Sequence, residues 1–314
     1  MMRLGAGREF DLIRTFLGHA RAAHAAVQLG PGDDCAIIPP FALSSDMSIE
    51  NVHFRRAWLA PDEIGFRAAT AALSDLAAVA AAPVAALISF GFSARDAGEW
   101  AESVMRGAAQ AIEQYGAVLA GGDVTRSEEV AVLDVVVIGK VAEPVLRSGA
   151  VPGDEVWVTG TLGGAAAAVA AWQAGVAPDA AARARFAHPT ARIREALWLK
   201  LHARLHALID ISDGIAGDAG HIAAASNCAL AIDATRLPLH PAANLEQALR
   251  GGEDYELCLT VPAGELSGVQ KDFAEEFGIT LTRIGSVSAG DGVVINGHTE
   301  AHGFDHFSTA TEPA

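Results

Sequence analysis

The run Gly30-Pro31-Gly32-Asp33-Asp34-Cys35-Ala36-Ile37-Ile38 joins a tight turn to two adjacent carboxylates and then to an apolar segment. Gly, Pro and Asp dominate turns for local reasons, so a solvated Asp-Asp turn is one reading. A cation site is the other. Neighbouring aspartates repel, and burying both without a counter-charge is costly. Hard divalent cations such as Mg²⁺ relieve that cost by taking carboxylate oxygens while keeping some waters. On this stretch alone the solvated turn is the simpler reading, and the remaining acids of the chain tip the balance.

On the N-terminal side of the turn, Phe10, Ile13, Phe16 and Leu17 recur at helical spacing within residues 9–24. On the other side, residues 35–38 read as a strand stopped by Pro39-Pro40, and residues 41–49 as a strand carrying Ser44-Ser45-Asp46. An aspartate inside a strand is disfavoured and invites a reason. Pro61-Asp62-Glu63 opens a helix expected to reach about Ala82 and stop at Pro83. Asp75 lies inside it among alanines and leucines, either facing solvent or serving as a buried or metal-bound acid.

A strand over 84–92 and a helix over 95–115 follow; then Val118-Leu119-Ala120 runs into Gly121-Gly122-Asp123. The β-branched run 130–141 is the clearest strand. The domain boundary is placed just beyond it, giving an N-terminal domain over 1–143 and a C-terminal domain over 144–314. In the second half, strand 155–159 leads through Gly160-Thr161-Leu162-Gly163-Gly164 into an alanine-rich helix, an arrangement that can hold a phosphate but also serves any tight turn. Helix 190–206 precedes Ile209-Asp210-Ile211-Ser212-Asp213-Gly214. Ser212 or Asp213 can cap the next helix, but capping leaves Asp210, between two isoleucines, unexplained. Further strands are expected at 230–233, 257–261, 279–287 and 293–295, with a helix over 262–277. Alternating strands and helices in both halves imply an α/β fold in two domains.

Composition narrows the function. The 314 residues are 51% hydrophobic, enough for a substantial core, and carry 38 acids against 22 bases for a net charge of −16. An acidic chain without a Lys/Arg-rich run is a poor nucleic-acid binder, and an anionic substrate would have to be met through metal. Cys35, Cys228 and Cys258 form no CxxC pair, which argues against zinc and disulfides and fits a reducing cytosol. No run reaches membrane-spanning length and no signal peptide is visible, so the cytoplasm is the expected location.

Asp33, Asp34, Asp46, Asp75, Asp123, Asp210 and Asp213 each sit beside Gly or Ser or within an apolar segment, not in a charged surface run. Together they suggest a polyacidic pocket for several Mg²⁺ ions, which suits a polyphosphate substrate. No GxxxxGK[ST] loop, protein-kinase motif set or strand-linked GxGxxG is present, so nucleotide would be bound through metals and backbone amides.

At this point the residues match a known pattern. The chain resembles the thiamine-monophosphate kinase family, within the superfamily of aminoimidazole ribonucleotide synthetase. The resemblance runs almost end to end, through Gly32-Asp33-Asp34-Cys35-Ala36, Ser44-Ser45-Asp46, Asn51-Val52-His53-Phe54, Leu73-Ser74-Asp75-Leu76, Gly121-Gly122-Asp123, Arg147-Ser148-Gly149-Ala150, Ile209-Asp210-Ile211-Ser212-Asp213-Gly214, Gly251-Gly252-Glu253-Asp254-Tyr255-Glu256-Leu257 and Gly303-Phe304-Asp305-His306-Phe307. It implies ATP-dependent phosphorylation of thiamine monophosphate to thiamine diphosphate, by direct in-line transfer without a protein nucleophile. By motif position it implies Mg²⁺ at Asp34, Ser44, Ser45, Asp46, Asp75, Asp123, Asp210 and Asp213. It further implies ATP contacts from Gly122, Asp123, Arg147 and Ser212, and thiamine contacts from His53, Glu253 and Phe304. The family fold has two α/β domains, and two N-terminal domains pair into a barrel-like homodimer.

The chain departs from the pattern at Ala80, where the family commonly has Gly, in a short 238–251 segment, and at Phe304, where a hydroxyl-bearing aromatic is frequent. None of these removes an implied metal ligand. A silent nucleotide- or metal-binding module is the competing class, and retention of the whole acid set speaks against it.

Overall fold

The structure is a computed structural model that describes residues 8–19 and 24–296, and the backbone of 298–300. After helix α1 (Arg8–Leu17), five strands form one sheet: β1 (Ala36–Ile38), β2 (Phe41–Ile49), β3 (Ala82–Phe92), β4 (Val118–Arg126) and β5 (Val132–Lys140), in the order β1-β2-β5-β3-β4. Only β3 and β4 run parallel, because α3 (Glu99–Gln114) carries the chain back between them. Helix α2 (Pro61–Ala78) covers the inner face of this sheet and crosses α3.

That crossing is a backbone contact. A Cβ on Gly65 of α2 would lie 1.8 Å from the Val104 carbonyl oxygen, and one on Gly107 of α3 would lie 1.8 Å from that of Asp62. The two glycines let the helix axes approach closer than any side chain would allow.

The second half builds a seven-stranded sheet from β6 (Glu155–Thr159), β7 (Ala207–Ile211), β8 (Ala229–Ile232), β9 (Glu256–Val261), β10 (Leu281–Ser288), β11 (Gly292–Ile295) and β12 (His298–Glu300), ordered β12-β11-β8-β10-β6-β9-β7. Helices α4 (Gly164–Gln173), α5 (Ala180–Ala187), α6 (Ile193–His202), α7 (Ile215–Ser226), α8 (Leu245–Arg250) and α9 (Gln270–Phe277) complete it. Strands β6, β7 and β9 are buried along their whole length, and the polar Asp210 and Glu256 within them are hydrogen-bonded to other side chains. Successive residues point to opposite faces. Trp157, Leu208, Leu257 and Leu259 join the core that continues to α2 and the first sheet, whereas Val156, Val158, Ile209, Ile211 and Cys258 fill a second core under α7.

The structure departs from the sequence-based expectations in several places. Gly121-Gly122-Asp123, expected to be a turn, continues strand β4 as far as Arg126, and α6 spans only Ile193–His202 of the helix expected over 190–206. Helix α2 ends at Ala78, not near Ala82, and β3 begins at Ala82. The stop is a Schellman turn: Ala80 takes a left-handed φ of 50°, with Ala81 N–H bonded to the Leu76 carbonyl and Ala80 N–H to that of Ala77. Alanine itself gives no warning of that conformation, though the glycine common in the family at this position does. Helix α5 was not anticipated, and residues 262–277 divide into a short 3₁₀ turn and α9.

Gly65→Ala should destabilise the fold by about 1–3 kcal/mol or more through overpacking of the α2–α3 crossing. Gly220→Ala on α7 is the control. Its Cβ would meet nothing closer than 3.9 Å, so it should be neutral or stabilise by about 0.5–1 kcal/mol. Chemical denaturation of both variants checks the contrast, and equal effects would contradict the close helix contact.

Candidate active site

The acids of the first and second sheets meet at the seam that α2 bridges. Asp210 on β7 shares a face with Leu208 and points toward α2, where its carboxylate accepts the Ser74 hydroxyl at 2.6 Å. The next residue on α2, Asp75, accepts the Ser44 hydroxyl of β2 at 2.5 Å. Asp34 joins them from the Gly-Asp-Asp turn. One carboxylate oxygen from each of Asp34, Asp75 and Asp210 lies within 4.8 Å of the others. An alternating strand, a helix and a turn thus each contribute one acid, and two serines orient two of them.

Arg147 supplies the main counter-charge. It forms a two-pronged pair with Asp34, Nε to Oδ2 at 2.9 Å and Nη2 to Oδ1 at 2.5 Å, and its backbone N–H donates to Asp33 at 3.0 Å. One guanidinium does not neutralise four carboxyls. Desolvation, then the Asp34 charge, pushes Asp33 up to about 7. Desolvation and Asp34 likewise push Asp210 up to about 7, and desolvation with the charges of Asp210 and Asp34 holds Asp75 well above the carboxylate range. An all-oxygen set this short of positive charge fits a hard divalent cation.

A cavity of about 180 Å³ opens beside the cluster. Its lining includes Asp46, His53, Asp75, Asp210, Ser212 and Glu253. Desolvation raises Asp46 above its usual range. His53 accepts the Ile49 N–H on Nδ1 at 3.1 Å. Glu253 adopts φ 74°, and Tyr255, also lining the cavity, φ 52°; neither is a glycine. Such left-handed residues cost about 1–3 kcal/mol each and persist where the surroundings hold them. Here the Glu253 and Tyr255 N–H groups donate to the carbonyls of Ser212 and Ile211, both at 2.8 Å.

Arg67, which sequence reasoning passed over, is the cation of this cavity. It pairs with Glu253, donates to the Phe186 carbonyl at 3.1 Å and lies 3.9 Å over the Phe186 ring. Its only sequence signal was a lone base inside the alanine-rich α2, two helical turns before Asp75.

Asp123 stands apart. Along β2, Ser44 faces α2, so Ser45 faces the other way and donates to Asp134 of β5 at 2.7 Å. The register sets Asp134 beside Ser89 of β3, and Ser89 beside Asp123 of β4. Asp123 therefore lies on the outer face of the first sheet and Asp75 on the inner. Gly122 has a structural reason as well, since a Cβ there would lie 1.9 Å from the Ile88 carbonyl oxygen. Helix α7 is capped by Gly214 without a side-chain bond, so neither Ser212 nor Asp213 is taken up in capping it. Asp213 lies instead beside Asp218 and His221 of α7. Phe304 falls outside the described residues.

Residues 32–141 match the family of AIR synthase related proteins, N-terminal domain, and residues 151–298 the corresponding C-terminal domain. Thiamine-monophosphate kinase of Escherichia coli (strain K12) is 34% identical over 329 aligned residues, covering 96% of this chain and 98% of that protein. Among solved structures, thiamine-monophosphate kinase from Stenotrophomonas maltophilia K279a is 34% identical with a TM-score of 0.74, over 95% of this chain and 99% of that one. AaThiL complexed with AMPPCP and TMP is 31% identical with a TM-score of 0.80, over 95% and 96%. The hydrogenase maturation protein HypE shares the fold at 18% identity and a TM-score of 0.73, over 94% of this chain and 98% of that one. The fold is that of the AIR synthase related class. Within that class, the chain belongs to the thiamine-monophosphate kinase family.

The raised carboxyls carry a pH signature. Between the ordinary carboxylate value and about 7, the folded chain keeps protons at Asp33, Asp210 and the buried Asp254 that the unfolded chain has released. The stability of the metal-free chain therefore falls as pH rises through that window. Glu256, held low against burial by Arg192 and Arg185, titrates below it. After chelator treatment the melting temperature should be lower at about pH 8 than at about pH 6, and Mg²⁺ should raise it more at about pH 8. Equal Mg²⁺ shifts at the two pH values would mean that cation binding does not displace protons from the cluster.

Proposed function

We propose that this chain transfers the γ-phosphoryl group of ATP to thiamine monophosphate, giving thiamine diphosphate and ADP. The observation that carries the reading is the cluster of Asp34, Asp75 and Asp210, two of whose acids line a cavity together with His53, Arg67 and Glu253. Its placement is supported by the relative complexed with AMPPCP and TMP, which matches nearly the whole chain.

Asp34, Asp75 and Asp210 would hold Mg²⁺, with Ser44 and Asp46 on the same face of β2; Ser45 and Asp123, on the outer face of the first sheet, and Asp213, beside Asp218, would meet further Mg²⁺ apart from that cluster. When bound, Mg²⁺ would neutralise phosphate charge as the group transfers. The chain's own residues bind and orient. Ser212, Gly122 and Arg147 serve ATP, with Arg147 acting as the built-in counter-charge to Asp33 and Asp34 before ligands arrive. His53, Glu253 and Phe304 serve the thiamine substrate, whose cationic thiazolium and aminopyrimidine suit a carboxylate and an aromatic face. An oxygen of the substrate's phosphate attacks the γ-phosphorus in line as the bond to ADP breaks, with no protein nucleophile.

The domain boundary falls between β5 and β6, at 143/144. A homodimer through the first sheet is supported by edge strand β4, which is exposed along its whole length and presents Val118, Leu119 and Val124. Among the described residues no helix is long and apolar enough to cross a membrane.

With ATP, Mg²⁺ and thiamine monophosphate the chain should form thiamine diphosphate; absence of that product with a folded, metal-loaded chain would overturn the reading. Asp75→Asn and Asp210→Asn should each lower turnover by about a hundredfold or more while the chain stays folded. Glu253→Gln should raise the KM for thiamine monophosphate more than that for ATP. Equal changes in both KM values would remove Glu253 from the substrate site.

A further inference from the structure

The turn Ser212-Asp213-Gly214 and the helix after it hold a second cluster. Asp218 and His221 are three residues apart on α7 and so share one face of it. A ring nitrogen of His221 and one carboxylate oxygen from each of Asp213 and Asp218 lie within 4.8 Å of one another. Asp218 is 1% exposed and His221 8%. Nδ1 of His221 is buried and has no hydrogen-bond partner among the described residues. One oxygen of Asp218 accepts the Asp213 N–H at 3.1 Å, which ties the turn to the helix and leaves the second oxygen for another partner.

A buried imidazole nitrogen without a partner is costly, and so is a buried carboxylate. A cation bound through Nδ1 would satisfy both. Nitrogen and oxygen ligands lie roughly 2.0–2.2 Å from such an ion, so two ligands of one ion are at most about 4.4 Å apart. The observed spread needs an adjustment of only a few tenths of an ångström. Asp213 is half-buried and gives the cluster its opening, while the Phe10 ring packs against His221 with centroids 4.6 Å apart.

We propose that Asp213, Asp218 and His221 form a second divalent-cation site, separate from the cluster of Asp34, Asp75 and Asp210. The two sites differ in kind. The first offers only oxygens and suits Mg²⁺, whereas the second includes an imidazole nitrogen and favours a transition ion such as Mn²⁺. The site shares Asp213 with the catalytic reading above but requires no nucleotide and no turnover, so it stands or falls independently of the kinase assay.

The test uses the full chain, stripped with chelator and loaded with Mn²⁺ in the absence of nucleotide. Electron spin-echo envelope modulation should report coupling of bound Mn²⁺ to a ¹⁴N nucleus. His221→Gln should abolish that coupling and remove one Mn²⁺ equivalent, and Asp218→Asn should weaken the same equivalent by about tenfold or more. Asp75→Asn, which lies in the other cluster, should leave the ¹⁴N coupling in place. The wild-type spectrum is decisive even if a variant fails to fold. Mn²⁺ without ¹⁴N coupling in the wild type would overturn the proposal and leave Asp218 as a brace for the turn. Coupling that persists in folded His221→Gln would overturn it equally, by placing the ion at another histidine.

Discussion

Mutual repulsion among carboxyls at the seam between the two sheets is the constraint to which the surrounding structure answers. Asp33, Asp34, Asp75 and Asp210 come from a turn, a helix and a strand far apart in the sequence, and burial makes their charges expensive. Three devices hold them in place without cations. Arg147 grips Asp34 with two nitrogens, its own N–H meets Asp33, and the Ser44 and Ser74 hydroxyls fix Asp75 and Asp210. Protonation supplies the remaining relief, and a divalent cation does the same with better geometry.

Helix α2 is the element that makes this convergence possible. Its glycine crossing with α3 seats it on the first sheet, and its other contacts reach α6 and β7 of the second. Arg67, Ser74 and Asp75 then look out from one helix onto the cavity, Asp210 and Asp34 respectively. The Arg67–Glu253 pair ties the same helix to the strained turn before β9, so the two walls of the cavity are braced against each other. A second buried network, Glu256 with Arg185, Arg192 and Thr159, anchors that strand from behind.

Much of this was legible in the sequence where a residue type contradicted its surroundings. An aspartate between two isoleucines and an aspartate among alanines stood out because local propensity gives little reason for them, whereas the Asp-Asp pair in its glycine turn gained weight only from the other acids. The apolar residues of β6 and β9 placed strands at 155–159 and 257–261, but that β6, β7 and β9 are buried along their whole length came from the structure. Arg67 and Ser74 were not legible, since a base or a hydroxyl in a helix is ordinary until tertiary packing aims it. Asp218 and His221 escaped for the same reason, since helical spacing alone does not distinguish a solvated face from a buried pair. The early end of α2 was hidden by Ala80, which adopts a conformation that sequence would assign to glycine. The split of the acids between the two faces of the first sheet, with Asp123 outside and Asp75 inside, depends on strand register, which local sequence does not reveal.

The central claim is that divalent cations take over from protons at the Asp34–Asp75–Asp210 cluster, and proton release tests it most directly. Calorimetric titration of the metal-free chain with Mg²⁺ near pH 7, repeated in buffers of different ionisation heat, counts the protons displaced per cation bound. The account predicts a net release that declines toward about pH 8.5, where the carboxyls are already ionised, and that shrinks in Asp210→Asn. Mg²⁺ binding with no proton release near pH 7, or release unchanged in a folded Asp210→Asn chain, would contradict it.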